Sequence, residues 1–251
     1  MNDLVRRLAG KAAEEFGETA RFLGGVAAVW FVLVTFVFAA FHIPSESMQP
    51  SLQVGDRVLV SKFAYGYSRH SLPLGIGYAL PDSWSGRILG STPERGDVVV
   101  VRDPDQTINL IKRVVGLPGD RIEMRGGRLY INGDRVPREP ERTVRYRDRN
   151  GVLVEAAVYT ETLPGGVAHT IYERSDTAPL DDVGPFEVPP NNLFLMGDNR
   201  DASADSRVAA GLGYVHRDEV VGRAWTVLFT FASCRSEDGL YCPPWRVWRP
   251  L

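Results

Sequence analysis

The hydrophobic pattern divides the chain in two. From Phe22 to Phe41 the sequence FLGGVAAVWFVLVTFVFAAF runs for 20 residues without a charge, and no later run matches its length and apolarity. A helix rising about 1.5 Å per residue would cover roughly 30 Å over that stretch, the thickness of a bilayer core. The pattern therefore predicts a transmembrane helix over 22–41, preceded by a segment over 1–21. A cleavable leader has a shorter apolar core, of about 7–15 residues, although Val37-Phe38-Ala39 offers a weak cleavage site. An organellar transit peptide is poor in acids, whereas Asp3, Glu14, Glu15 and Glu18 all precede the run. Its length favours an uncleaved anchor.

Beyond Phe41 the period changes. VGDRVLV (Val54 to Val60), GDVVVV (from Gly96) and GDRIEM (from Gly119) share one grammar, a Gly-Asp turn leading into a short apolar strand. Their spacing is irregular, so this is repeated turn chemistry rather than a solenoid. RLYINGDRV (Arg128 to Val136) places Asn132-Gly133 between two strand-like runs, a strong hairpin signal. NLIKRVVG (Asn109 to Gly116) reads as another strand. The prediction is a mostly β fold: an antiparallel coiled-sheet or partly open barrel domain over 42–121 and 193–251. Residues 122–192, charged and then polar with scattered prolines, are expected to form an inserted β subdomain. Tyr67 to Thr92 reads as a long loop or extended hairpin, and the tail from Ser233 is expected to wrap the core.

Composition narrows the function classes. With 251 residues the chain is long enough for a sizeable core, and its formal net charge of -2 shows no basic excess for nucleic acid. The two cysteines, Cys234 and Cys242, lack the number and the histidine partners of a zinc site, so no metal is expected. In an oxidising compartment they can close a small disulfide loop. Arg6, Arg7, Lys11 and Arg21 precede the apolar run and only Arg57 and Lys62 follow it closely. By the positive-inside rule the N-terminus is cytoplasmic and everything after Phe41 lies outside.

The chemistry-bearing candidates are the serines just past the anchor, one strand lysine, and MGDNRDASADSR (Met196 to Arg207). A serine hydroxyl is a weak nucleophile until a base takes its proton. Of the histidines, His42 sits at the membrane boundary, and His70, His169 and His216 stand in no triad-like context, although triads assemble in space. Lys112 is the better candidate base. Strand alternation groups it with Leu110 and Val114, and Arg113 with Ile111 and Val115. If its face is buried, desolvation lowers its pKa and a neutral amine can deprotonate serine. The alternative is an edge lysine that reaches into water.

PSESMQPSL resembles the serine box of the bacterial type I signal peptidases (leader peptidases). RGDVVVVRDP, IKRVVGLPGD and GDNRDASADSR resemble that family's three later boxes, in the family's order, so that the likeness spans Pro44 to Arg207. The resemblance implies a Ser-Lys serine endopeptidase. Ser47 matches its nucleophile and Lys112 its general base. Ser45, with the Ser47 backbone N–H, matches the oxyanion hole, and Ser203 the serine that orients the lysine head. Gly197, Asp198, Asn199, Asp205 and Arg207 match the box closing around the dyad, with a plain ion-paired turn as the alternative for Asp205 and Arg207. Ile43, Met48, Leu52, Leu110 and Ile111 fall where the family lines shallow pockets for small side chains, or they are ordinary core. Glu46 departs from the family, which commonly has glycine there.

The resemblance also implies secretory precursors as substrates, cut after Ala-x-Ala-type sites, and the lipid bilayer as a partner. It implies no cofactor. A monomer is expected, in a bacterial plasma membrane with the catalytic domain on the periplasmic side. Two alternatives stay open: a narrow-substrate maturation peptidase of the same clan, and a catalytically silent anchored binding domain.

Overall fold

The computed structural model describes residues 2–72, 77, 79, 87–103, 108–148, 150–208, 211–231, 240–242 and 246–251. Helix α1 spans Asn2–Val32 and runs into a π-helical turn, Leu33–Val37. Residues Glu15–Val37 are long and apolar enough to cross a membrane, with a mean hydropathy of 2.0. The expected helix over 22–41 is corrected at its end. Phe38–His42 is a strand, β1, paired antiparallel with β2 (Asp56–Ser61) from Phe38↔Ser61 to His42↔Arg57. An uncharged run has no composition that separates helix from strand, and the neighbouring chain decides. The Phe38 ring stacks on Trp225 at 6.1 Å and meets Phe63 edge-on at 6.3 Å. Carbonyls at the helix end find donors outside the helix: Lys62 Nζ on Thr35 (3.1 Å), Tyr67 Oη on Phe36 (2.7 Å) and Lys62 N on Val37 (2.9 Å).

The strands that follow are β3 (Val98–Arg102), β4 (Asn109–Gly116), β5 (Arg121–Arg125), β6 (Arg128–Ile131), β7 (Asp134–Arg135), β8 (Arg138–Arg147), β9 (Leu153–Leu163) and β10 (Val167–Glu173). Five more close the chain: β11 (Val183–Glu187), β12 (Asn192–Met196), β13 (Val215–His216), β14 (Val220–Thr230) and β15 (Val247–Pro250). The main sheet has eight strands in the order β1-β2-β14-β3-β4-β12-β13, with β15 also on β14. Register breaks in β14 and β12 add local twist and curl the sheet into the partly open barrel expected from the turn grammar. Residues 121–187 carry two more sheets, β11-β5-β6-β7 and β10-β9-β8. Asn132 and Gly133 both have positive φ (57° and 90°) and close the predicted hairpin between β6 and β7.

Alternation along β3 feeds two cores at once. Val98 and Val100 pack with Ile43, Met48, Leu52, Val58 and Val60, while Val99 and Val101 pack with Tyr65, Val114, Leu195 and Val220. A third core, of Val115, Phe194 and Met196 with Ile122, Met124 and Leu129, joins the main sheet to the four-stranded one. The tail does return to the core. β15 pairs with β14, Leu251 packs on the first core, and buried Arg246 is 2.9 Å from the Asp56 carboxylate. Cys242 is disulfide-bonded; Cys234 lies outside the described residues.

Gly222 sits where β14 leaves β3 for β2, and a Cβ there would collide with the Ser61 carbonyl oxygen. Gly222→Ala is expected to destabilise the fold by about 1–3 kcal/mol, the usual cost of overpacking. Thermal unfolding of the detergent-solubilised protein checks this; an unchanged Tm means the sheet gives way at no cost.

Candidate active site

The serine segment is a compact turn between β1 and β2. Its shape comes from short backbone hydrogen bonds: Gln49 N to the Glu46 carbonyl at 3.0 Å, Leu52 N to Met48 at 2.9 Å and Gly55 N to Ile43 at 2.9 Å. Met48 and Leu52 have no exposure and Ile43 has 2%, all three within the first core. They nail the turn down, which leaves Ser47 facing β4. Leu110 and Ile111 are only half-buried beside it. Of the five residues matched to pockets, three are therefore core side chains, and the two on β4 keep accessible surface.

Lys112 Nζ lies 2.9 Å from Ser47 Oγ and 2.9 Å from the Ile111 carbonyl oxygen. Ser45 Oγ is 3.4 Å from Ser47 Oγ. With 3% exposure Lys112 is no edge lysine reaching into water. Burial pushes its pKa down to about 8, against Asp205 and Asp198, which pull it up. A buried amine that titrates near 8 is neutral in a useful fraction of molecules at physiological pH. Lys112's hydrogen bonds do not include Ser203 among the described residues. Ser203 is buried against Gly197, where a Cβ would strike both the Ser203 side chain and the Ser47 carbonyl oxygen. Only glycine permits that approach.

The loop after β12 surrounds Ser47 and Lys112 with paired charges. Arg113, next to Lys112 on β4, takes Asp198 in a two-pronged pair (2.8 and 2.7 Å) and also donates to the Gly96 carbonyl at 2.7 Å. Asp205 is held by Arg207 at 2.9 Å through two nitrogens and accepts from Gly197 N at 3.0 Å. Burial would raise both carboxyls, and the guanidinium partners outweigh it and hold them below the usual carboxylate range. Asn199 N donates to the Ser47 carbonyl at 3.1 Å, and Asn199 Nδ2 to the Glu46 carbonyl at 3.2 Å. The five matched box residues thus all gather, buried, at the serine turn.

Among the described residues no histidine hydrogen-bond to Ser47 is seen. His42 and His216 are exposed, and His70 pairs with Glu219 at 3.0 Å. His169 is buried 3.5 Å from Glu161 and 3.9 Å from Asp198. Burial first, then Arg113, push its imidazole down to about 4, so it is neutral. Sequence reasoning missed the share of β8, β9 and the turn after β10 in this region. Glu161 of β9 pairs with buried Arg200, Tyr146 of β8 accepts from Asn199 Nδ2 at 2.9 Å, and Arg174 stands 3.4 Å from the Glu46 carboxylate. No local motif marks such long-range contacts. The unusual glutamate beside Ser47 is an ion-paired residue.

With this geometry in place, similarity to known proteins is decisive. A family model described as "Signal peptidase, peptidase S26" matches residues 16–229. The chain belongs to this family. It is a serine endopeptidase, and signal-peptide removal by a serine protease is the activity that membership brings. Among similar proteins named Signal peptidase I, that of Pseudomonas aeruginosa is 39% identical over 205 residues, 78% of this chain and 66% of that one. That of Rickettsia prowazekii is 33% identical over 227 residues, 86% of this chain and 80% of that one. A solved signal peptidase I from Enterococcus faecalis is 27% identical, covering 53% of this chain and 97% of that one, with a TM-score of 0.32.

The Arg113–Asp198 pair of this signal peptidase family member is 7% and 1% exposed, so neither charge has water to fall back on. Asp198→Ala should cost about 3–5 kcal/mol by stranding a buried guanidinium, and adding Arg113→Met should recover most of it. Chemical denaturation of wild type and both variants checks this; a double variant no more stable than Asp198→Ala contradicts it.

Proposed function

We propose that this signal peptidase family member is a membrane-anchored enzyme that cuts exported precursors after small residues of Ala-x-Ala type, with Ser47 as nucleophile and Lys112 as general base. The observation that carries the proposal is the 2.9 Å approach of the Lys112 amine to the Ser47 hydroxyl within a buried site. Neutral Lys112 Nζ accepts the Ser47 proton as Oγ attacks the scissile carbonyl. The developing oxyanion is held by the Ser47 backbone N–H and the Ser45 hydroxyl, donors of a kind that each contribute roughly 3–4 kcal/mol in the transition state. The Lys112 ammonium then gives its proton to the departing amine, which becomes the N-terminus of the mature protein. Water deprotonated by Lys112 attacks the ester on Ser47 and releases the signal peptide as a carboxylate.

Substrate binding follows from an incomplete ladder. β12 covers β4 only from Arg113 to Gly116, so among the described residues Asn109 to Lys112 have no strand partner on that side. An extended substrate segment added there gains backbone hydrogen bonds next to the dyad. The half-buried Leu110 and Ile111 offer it shallow apolar contacts that suit small side chains. The Ile111 carbonyl holds the lysine head, with buried Ser203 and the ion-paired loop packed at the serine turn beside it, and residues 122–192 form a subdomain inserted in a catalytic domain over 42–121 and 193–251. The apolar helix sits in a bacterial plasma membrane with its basic N-terminal side cytoplasmic and the sheets outside. β1 adds roughly 15 Å of stiff strand beyond the helix, which fixes the height of Ser47 where a signal peptide leaves the bilayer.

Cleavage of a precursor bearing an Ala-x-Ala site, in detergent, tests this reading. The wild type should cut after the second alanine, and Lys112→Ala should lower kcat/KM by roughly 10²–10⁴-fold, the worth of a positioned general base. Because burial lowers the lysine pKa, the active neutral form grows as pH rises, so kcat/KM should climb with a midpoint near 8. An active Lys112→Ala variant, or a flat profile from about pH 5 to about pH 9, rules the lysine base out.

A further inference from the structure

We infer that Tyr146 and Arg174, from the inserted three-stranded sheet and the turn leaving it, are positioning residues that set the direction of the oxyanion-hole donor at Ser47. The inference rests on the Ser47 mechanism proposed above. The backbone N–H expected to bind the oxyanion shares one peptide unit with the carbonyl of Glu46. That unit is planar, and in the trans form its C=O and N–H point opposite ways, so holding the carbonyl also aims the N–H. The holder is Asn199 Nδ2, 3.2 Å from the Glu46 carbonyl oxygen. The same amide nitrogen donates to Tyr146 Oη at 2.9 Å. Asn199 has no freedom to drift, with 0% exposure and its own backbone N–H on the Ser47 carbonyl.

Tyr146 is fixed in turn. Its ring is buried against Tyr172 at 5.5 Å between centroids. Its hydroxyl oxygen accepts from Arg174 Nε (3.0 Å) and from the terminal Nη2 (2.7 Å). That Nη2 also lies 3.4 Å from the Glu46 carboxylate, and the Arg174 backbone N–H is pinned to Asp201 at 2.7 Å. The contacts therefore form a ring that begins at the Glu46 carbonyl and returns to the Glu46 side chain through Asn199, Tyr146 and Arg174. Hydrogen bonds linked in this way polarise one another. Donation to the Glu46 carbonyl strengthens its partner N–H as a donor as well as aiming it. A guanidinium beside Glu46 also keeps an anion next to the nucleophile from facing the developing oxyanion uncompensated.

A residue that orients an oxyanion donor acts on the transition state, whereas one that merely supports the fold changes stability or binding. Full-length wild type, Tyr146→Phe, Arg174→Ala and the double variant should be compared in detergent on one precursor peptide, with Ser47→Ala as control. Tyr146→Phe deletes one oxygen from a buried ring that keeps its packing. It should lower kcat about tenfold with KM held within about twofold, the pattern of an interaction made only in the transition state. Arg174→Ala should do likewise, and the double variant should be no worse than the more damaged single, because both act through Asn199. Wild-type kcat in Tyr146→Phe, a loss confined to KM, or losses that multiply in the double variant would each overturn the inference while inactive Ser47→Ala leaves the mechanism standing. If Arg174→Ala does not fold, the Tyr146→Phe kcat and KM decide alone. Cleavage by Ser47→Ala would instead bring down the mechanism and this inference with it.

Discussion

A buried lysine keeps a lowered pKa only if nothing nearby wants its charge, and the surroundings of Lys112 meet that constraint. Burial disfavours the ammonium, but one free carboxylate within reach would restore it. Two carboxylates, Asp198 and Asp205, lie close enough to pull its pKa upward. Each is already taken by a guanidinium that carries a permanent charge, Arg113 and Arg207 respectively. Glu161, further into the insertion, is taken by Arg200 in the same manner. Buried ion pairs of this sort contribute little net stability, since desolvation consumes most of their attraction. Their effect here is that the amine hydrogen-bonds only to neutral groups, the Ser47 hydroxyl and the Ile111 carbonyl, among the described residues, and its pKa lies near 8.

The scaffold follows from the same requirement. β4 must present a lysine and an arginine side by side and bury both, which needs cover on two faces. The four valines of β3 supply it, because alternate members close opposite cores. Arg113 reaches from β4 to the loop after β12 and the serine turn together, touching Asp198 and Ser51 at once. The tail adds a second tie: Arg246 donates to the Ser51 carbonyl and pairs with Asp56. Gly197 allows that loop to come into contact with the nucleophile turn. Sheet, loop and tail thus converge on a segment that has no regular structure of its own.

Much of this was legible in the sequence, where local chemistry dictates local shape. Gly-Asp turns, the Asn132-Gly133 hairpin and the short apolar runs announce strands and their connections, and the four boxes place Ser47, Lys112 and Asp198 in one site. Alternation could not say whether Lys112 was buried, because a strand with a cation on each face has two equal readings. What buries it comes from β3 and from the loop after β12, far along the chain. The end of the apolar helix was misread for a related reason. Phe38 to Phe41 are as apolar as the helix before them, and only the partner strand β2 makes them a strand. Tyr146, Arg174 and Glu161 carried no signal, since a tyrosine or arginine in a charged insertion looks like any solvated side chain until its partners are known.

The corrected helix end changes how the proposed anchor would work. A flexible linker between membrane and domain would let the site wander over a range of depths set by the linker's length. Here the helix passes through a π-helical turn whose carbonyls are taken by Lys62 and Tyr67, and the next residues are already part of the sheet. Phe38 packs face to face on Trp225 of β14, the strand that runs between β2 and β3. The helix therefore continues into the main sheet, and its direction is passed to the serine turn through five residues of paired strand. On the proposed mechanism, a substrate whose cleavage site lies at a defined distance from its own apolar segment would meet Ser47 at a matching distance from this one. The search for that bond would then be largely confined to the plane of the membrane before any side chain is recognised.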